Sequence, residues 1–131
     1  MAGAAQVSVR HVGAAEALPL LALAERHAAT EETAEALARA GHCFVMEQEG
    51  RTVFAWAVQP KGDELFILAA AGRAGFDLTR AGLAVIEQQA EGFASVAFLT
   101  RRPGLMRKAG AHGYVPAGRA GNGVIMRKVL Q

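Results

Sequence analysis

The sequence predicts an α/β fold: one domain with a mixed, mostly antiparallel sheet, helices on both faces and one parallel strand pair. The chain has 131 residues, 52% of them apolar, which suits a single hydrophobic core. Two continuous apolar runs, 64–71 and 94–100, are typical of strands buried on both faces. An amphipathic segment separates these runs, so strand–helix–strand connectivity predicts that the two strands are parallel.

Composition narrows the classes of function. The 14 basic and 12 acidic residues give a net charge of +2, too small an excess to predict a nucleic-acid partner. The single cysteine, Cys43, has no partner for an internal disulfide, and the four histidines lack the spacing of a zinc motif, so no metal is expected. The apolar run 17–24 is too short to span a bilayer and is flanked by glutamates. We therefore expect a cytoplasmic protein with no membrane contact.

The first predicted elements are a strand and a helix. Residues 7–12 alternate between apolar and polar, which predicts a half-buried strand. Leu18 and Leu21 follow at helical spacing, and Pro19 is acceptable only if the helix begins close to it.

A second helix and a hairpin come next. Thr30 precedes two glutamates and is the predicted N-cap of a helix that ends at Gly41. The runs 42–48 and 52–59 favour strands, and the turn at Gly50 joins them as a hairpin. The remaining predicted elements are a turn at 60–63, a helix at about 78–91, a short helix that begins near Pro103 and ends around Gly110 or Gly113, and final strands near 114–117 and 123–129.

The C-terminal stretch VAFLTRRPGLMRKAGAHGYVPAGRAGNGVIMRKVL contains a strand, a short helix, the pair Gly113 and Tyr114, and a closing strand. Together with the element order, this stretch resembles the GNAT superfamily of acyl-CoA-dependent N-acyltransferases over nearly the whole chain. The resemblance implies a single GNAT-like domain, 1–131, in which the two parallel strands splay apart.

The resemblance also implies acetyl-CoA as cosubstrate and an amine as acceptor. The pantetheine arm would pair with the backbone of the splayed strand, where small residues allow close approach. The pyrophosphate would meet amide groups of the loop and of the first helical turn. The implied cofactor-binding residues are Leu68, Ala69, Ala70, Ala71, Gly72, Arg73, Ala74, Gly75 and Arg80.

Four positions depart from the family pattern. Phe76 and Leu78 stand where the loop usually has glycine or another small residue. Asp77 is the predicted helix N-cap, and its carboxylate would take the amides itself and repel a pyrophosphate. Ala109 stands where many members carry a tyrosine as general acid toward the departing thiolate.

The candidates for catalytic side chains are Glu64, Glu47 and Tyr114. Either glutamate is a candidate general base acting through water, although both fall near turns, where surface charge is the simpler interpretation. Tyr114 belongs to the Gly-aromatic pair, and packing is the simpler interpretation of its role.

Two further groups have alternative interpretations. The basic residues Arg101, Arg102, Arg107 and Lys108 would hold the 3′-phosphate of CoA or an acidic partner, or else form a solvated helix face. Phe54 and Trp56 share one face of a strand, as core against the helices or as part of an acceptor pocket.

Two functions follow. The first is an acyl-CoA-dependent N-acetyltransferase that acts on a small-molecule or protein amine. The alternative is a catalytically inactive GNAT-like binding or assembly module, paired as a homodimer through sheet edges or C-terminal strands. The loop departures, Asp77 and Ala109 motivate the alternative.

Overall fold

The structure is a computed structural model that describes residues 7–27, 32–73 and 77–130. Its centre is a seven-stranded sheet with the order β1-β2-β3-β4-β5-β7-β6. The strands are β1 Val7–Val12, β2 His42–Gln48, β3 Arg51–Lys61, β4 Glu64–Gly72, β5 Ser95–Thr100, β6 Val115–Ala120 and β7 Gly123–Val129.

Helical segments connect these strands. They are α1 Ala14–Leu21, a 3₁₀ segment Ala22–His27, α2 Ala34–Ala40, a π-helical turn Leu78–Gly82 that leads into α3 Leu83–Gln89, and α4 Pro103–Gly110. Among the described residues, none of these helices has the length and apolarity needed to cross a membrane.

The mixed sheet confirms the predicted fold class. β4 and β5 are parallel, whereas the other neighbouring strands pair in antiparallel fashion. α3 connects the parallel pair, as the apolar runs and the helix between them predict.

The two faces of the sheet carry different cores. Phe54 and Trp56 of β3 are fully buried on the face that packs against α3. Ala55 and Ala57 point to the other face, where α1 and α2 pack closely on small side chains. The indole N–H of Trp56 donates to Gln89 Oε1 at 2.8 Å, so the polar group of this core residue has a hydrogen-bond partner.

The first helix begins earlier than its sequence predicts. It starts at Ala14, so Pro19 lies inside the helix and beyond its first turn. Proline has no N–H to continue the hydrogen-bond ladder. The α-helix ends two residues later at Leu21 and continues as the 3₁₀ segment.

The second helix begins at Ala34. Thr33 is its N-cap, and the Thr33 hydroxyl accepts a hydrogen bond from Ala36 N at 3.1 Å. The predicted N-cap, Thr30, lies outside the described residues.

Two strands also differ from their predictions. β3 continues to Lys61, which pairs with Glu64, so the turn is shorter than the predicted 60–63. β1 is exposed along almost its whole length rather than half-buried. It is an edge strand with one neighbour, β2, and its alternating pattern alone does not reveal this position.

Candidate functional site

The candidate site lies where β4 and β5 separate. Their parallel register runs from the pair Glu64 and Ser95 to the pair Ile67 and Phe98. Beyond that point β4 continues to Gly72 and β5 continues to Thr100 without further pairing to each other in the described strands. A strand edge that faces a gap offers N–H and C=O groups to a ligand.

A β-bulge in β4 marks the start of this separation. On β3, Ala57 pairs with Ala69 whereas Val58 pairs with Ile67, so Leu68 is an extra residue without a partner in the ladder. Such a bulge bends and twists the strand that carries it. The bulge therefore directs the second half of β4 away from β5.

A cavity of about 390 Å³ fills the gap and reaches both faces of the sheet. On the α3 face its apolar lining comes from Phe54, Ile67, Ala70, Leu83, Ile86, Phe98 and Leu105. On the α1 and α2 face its lining includes Leu21, Ala34, Leu68 and Ala69. The cavity thus connects the two faces through the sheet.

Polar side chains line the cavity at a few positions, namely Glu25, Glu32, Lys61, Thr79, Thr100 and Arg102. Glu25 Oε2 accepts a hydrogen bond from Ala34 N at 2.5 Å, which fixes its carboxylate at the start of α2. Glu25 and Glu32 are the carboxylates that line the cavity within the described parts of the chain.

A basic cleft adjoins the cavity and shares Thr79, Arg102 and Leu105 with it. It lies between the π-helical turn and α4. Its basic lining residues are Arg80, Arg101, Arg102, Arg107, Lys108 and His112, and Asp77 lies among them. Positive charge around a cleft favours an anionic ligand.

Asp77 is the N-cap of the helix that begins with the π-helical turn, as the sequence predicts. Its Oδ1 accepts hydrogen bonds from Arg80 N at 2.9 Å and from the hydroxyl of Thr79 at 3.1 Å. These bonds, chiefly the one from the Arg80 amide, lower the pKa of Asp77. Its carboxylate is therefore charged at neutral pH.

The predicted cofactor-binding residues occupy three environments. Leu68, Ala69 and Ala70 line the cavity, and Arg80 lines the basic cleft. Ala71 and Gly72 pair with Ala55 and Phe54 of β3, with Ala71 buried. Arg73 turns toward β3, because its Nε–H donates to Thr52 O at 2.5 Å. Ala74 and Gly75 lie outside the described residues.

Glu64 is the first residue of β4 and lies before the bulge at Leu68. Its carboxylate accepts hydrogen bonds from Arg127 at 2.5 and 3.1 Å and from the hydroxyl of Ser95 at 2.7 Å. The bond from Arg127 is the main cause of the lowered pKa of Glu64. These contacts favour a structural role for Glu64 over general-base catalysis, because its carboxylate joins β4 to β5 and β7.

Glu47 belongs to a surface cluster. Arg10 bonds Glu47 at 3.0 Å and Glu16 at 2.5 Å, which joins β1, β2 and α1. Glu47 is not among the residues that line the cavity or the basic cleft. Its contacts favour a structural role.

Tyr114 is 1% exposed and packs in the core on the α3 face. Its hydroxyl donates to Glu87 Oε2 at 2.8 Å, and Lys128 Nζ donates to Glu87 Oε1 at 2.9 Å. Burial, followed by the bond to Glu87, raises the pKa of Tyr114. The hydroxyl is thus bonded within a partly buried network, which fits the packing interpretation.

The sequence does not identify Glu25 and Glu32 as candidates for proton transfer. In the sequence, Glu25 is a charged residue beside an apolar run, and Glu32 is one of two glutamates before a helix. Both reach the cavity because the 3₁₀ segment and the start of α2 pass beside the gap in the sheet. No local pattern in the sequence indicates that these two segments lie beside the gap.

Within the described residues, no three side chains of the His, Cys, Asp and Glu types come together as a metal site. Cys43 is buried, and its thiol donates to Ala38 O at 3.2 Å.

The sequence matches no family model and no curated protein. Solved structures do match, at low sequence identity. An IAA acetyltransferase from Bacillus cereus ATCC 14579 superposes with a TM-score of 0.68 at 15% identity, over 95% of this chain and 100% of the other. The ribosomal-protein-S18-alanine N-acetyltransferase from Escherichia coli superposes with a TM-score of 0.65 at 17% identity, over 96% of this chain and 95% of the other.

A third similar structure carries a ligand. A GNAT family acetyltransferase from Elizabethkingia anophelis with acetyl-CoA bound superposes with a TM-score of 0.66 at 12% identity, over 95% of this chain and 98% of the other. The likeness covers nearly the full chain in all three comparisons. The protein therefore has the GNAT fold.

Proposed function

We propose that the protein is an acetyl-CoA-dependent N-acetyltransferase, built as a single domain, that acylates a small-molecule or protein amine. The observation that carries the proposal is the cavity through the sheet at the β4–β5 separation. An acyl transfer requires two substrates to meet at one point, and a cavity lined from both faces of the sheet allows them to enter from separate sides. The similarity of fold to acetyltransferases, one with acetyl-CoA bound, supports it.

The donor would enter on the α3 face. Its pantetheine arm would lie along Leu68, Ala69 and Ala70, where small side chains and the unpaired strand edge allow backbone hydrogen bonds. Its phosphates would extend into the adjoining basic cleft. The apolar lining of the cavity suits the uncharged arm, and the cleft suits the anionic end.

The acceptor amine would enter on the α1 and α2 face. The cavity lining there includes Phe66, Leu99 and Ile125, together with Glu25 and Glu32 from the 3₁₀ segment and the start of α2. In the transfer, the neutral amine nitrogen forms a bond to the thioester carbonyl carbon. The C–S bond breaks, the sulfur leaves as a thiolate, and the nitrogen loses one proton.

Most of the rate enhancement would come from positioning and from backbone amides that polarise the thioester carbonyl. For the proton, we propose Glu25 or Glu32 as acceptor through water, because these carboxylates line the cavity and those of Glu64 and Glu47 do not. The thiolate then takes up a proton from solvent. Cytoplasmic location accords with a single, buried cysteine.

Two measurements test this function. Calorimetric titration of the full chain with CoA and with acetyl-CoA should show micromolar binding. Thiol release from acetyl-CoA should then depend on an added amine, screened across small amines and peptides with free N-termini. Glu25→Gln and Glu32→Gln should leave CoA binding intact, and one of them should lower kcat by about 10²-fold. If the protein binds neither acetyl-CoA nor CoA, the proposal is contradicted.

One observation favours the alternative, a GNAT-like module without catalysis. The Asp77 carboxylate accepts a hydrogen bond from the Arg80 amide at the helix N-terminus, so this amide is already occupied. Such a module would act through its surface, for example as a homodimer at the exposed edge strand β6. CoA binding without any amine-dependent thiol release would support this alternative.

A further inference from the structure

Asp77 lies at the junction between the cavity and the basic cleft. It lines the cleft together with Arg80 and Lys108, and its side chain accepts a hydrogen bond from Thr79, which lines both spaces. Thr79 is 6% exposed, so this residue is fixed by its surroundings where the two spaces meet. A ligand that extends from the cavity into the cleft enters the space that Asp77 lines.

Asp77 also uses the amides of the first helical turn. Its side-chain carboxylate accepts a hydrogen bond from Arg80 N at 2.9 Å. Its backbone carbonyl accepts from Ala81 N at 3.0 Å and from Gly82 N at 3.4 Å. An anion can therefore bind the Arg80 amide only by displacing a charged side chain, and it meets like charge as it approaches.

We propose that Asp77 is a specificity-determining residue that holds down the affinity for the pyrophosphate of CoA and leaves the affinity for the pantetheine arm unchanged. This inference rests on the proposed function, since it concerns the donor of that reaction. The surrounding basic residues of the cleft retain attraction for phosphate, and Asp77 offsets part of it. The protein thereby discriminates between donors by the charge they carry at this junction.

Two variants separate the effect of the Asp77 charge from the effect of its hydrogen bond with the Arg80 amide. Asp77→Asn keeps a good N-cap and removes the charge, and Asp77→Gly removes both the charge and the side-chain acceptor at little cost to the helix. Glu91→Gln is the matched control, because Glu91 is exposed near the far end of the same helix and its substitution removes the same charge. Thermal unfolding of each variant checks that the fold is retained.

The experiment is calorimetric titration of the four full-length proteins with CoA and with pantetheine, which lacks the phosphates. We expect Asp77→Asn and Asp77→Gly to bind CoA about tenfold more tightly than the native protein, with pantetheine affinity unchanged. Glu91→Gln should match the native protein for both ligands.

The outcomes distinguish the two proposals. If the native protein binds CoA and neither Asp77 variant binds it more tightly, the role of Asp77 is refuted and the proposed function stands. An equal gain for pantetheine would also refute it, because the effect would then not involve phosphate. If no protein binds CoA or pantetheine, the proposed function fails and the role of Asp77 fails with it.

Discussion

Gly41 and Leu68 approach each other so closely that a Cβ added to Gly41 would lie 2.8 Å from Leu68 Cδ1. The same Cβ would lie 2.8 Å from the carbonyl oxygen of Val58 on β3. Gly41 follows α2, and Leu68 is the bulged residue of β4. The end of α2 therefore packs directly against the point where β4 leaves β5.

The first prediction concerns this contact. Gly41→Ala should lower the free energy of unfolding by about 1–3 kcal/mol, because Val58 O is backbone and has little freedom to move away. Urea denaturation measures the change. Gly110→Ala is the control, since a Cβ at Gly110 meets nothing within 4 Å and alanine is more favourable than glycine in a helix. Equal stability of the two variants would refute the tight packing at the bulge.

The second prediction tests the cavity. Ala70→Leu should lower CoA affinity at least about tenfold, because the larger side chain fills space in the lining that the donor needs. Calorimetric titration gives the affinity. Ala84→Leu makes the same change at an exposed position of α3 and should bind CoA normally. Normal binding by Ala70→Leu would place the donor elsewhere.

The third prediction concerns the ion pair of Glu64 and Arg127. Glu64→Gln should cost about 1–2 kcal/mol at pH 7, because it removes a two-point, partly buried ionic contact. The folded pKa of Glu64 is lowered from its ordinary value of 4.5. Its contribution is therefore complete above that value and is lost as the pH falls through the lowered folded pKa.

Urea denaturation of both proteins between about pH 3 and about pH 7 checks this pH dependence, since these limits lie on either side of an ordinary glutamate pKa. The difference between native protein and Glu64→Gln should shrink toward the acidic end. A constant difference across the series would show that the ion pair is not its source.

The fourth prediction concerns Tyr114. Tyr114→Phe should lower the free energy of unfolding by about 1–2 kcal/mol, since Glu87 loses a buried donor but keeps Lys128. Turnover per folded molecule should stay within about twofold, because general acid catalysis would contribute far more. A loss of turnover by about 10²-fold with intact CoA binding would identify the hydroxyl as the acid instead.

Local patterns predicted the order of elements well. The hairpin around Gly50, the parallel pair on either side of α3 and the N-cap at Asp77 each depend on residues close in sequence. Such features follow from turn residues, capping residues and apolar periodicity. The family resemblance then placed the separation of β4 and β5 at the correct strands.

Features that depend on distant partners were not predicted. The bulge at Leu68 requires the register against β3, and the partner of Glu64 is Arg127, 63 residues away. Glu25 and Glu32 reach the cavity through the packing of the 3₁₀ segment and α2 beside β4. A single sequence carries no direct signal for such long-range contacts. Helix and strand patterns show which face of an element is buried, but they do not show which other element packs against that face.

The most direct measurement is an NMR titration of the uniformly ¹⁵N-labelled full chain with CoA, following the backbone amides. We predict the largest shifts, with slowed hydrogen exchange, at residues 68–72 of β4 and in the helical turn that follows Asp77, while the edge strand β1 stays unchanged. Saturating CoA that leaves the amides of 68–72 unperturbed would contradict the assignment of the separated strands as the donor site.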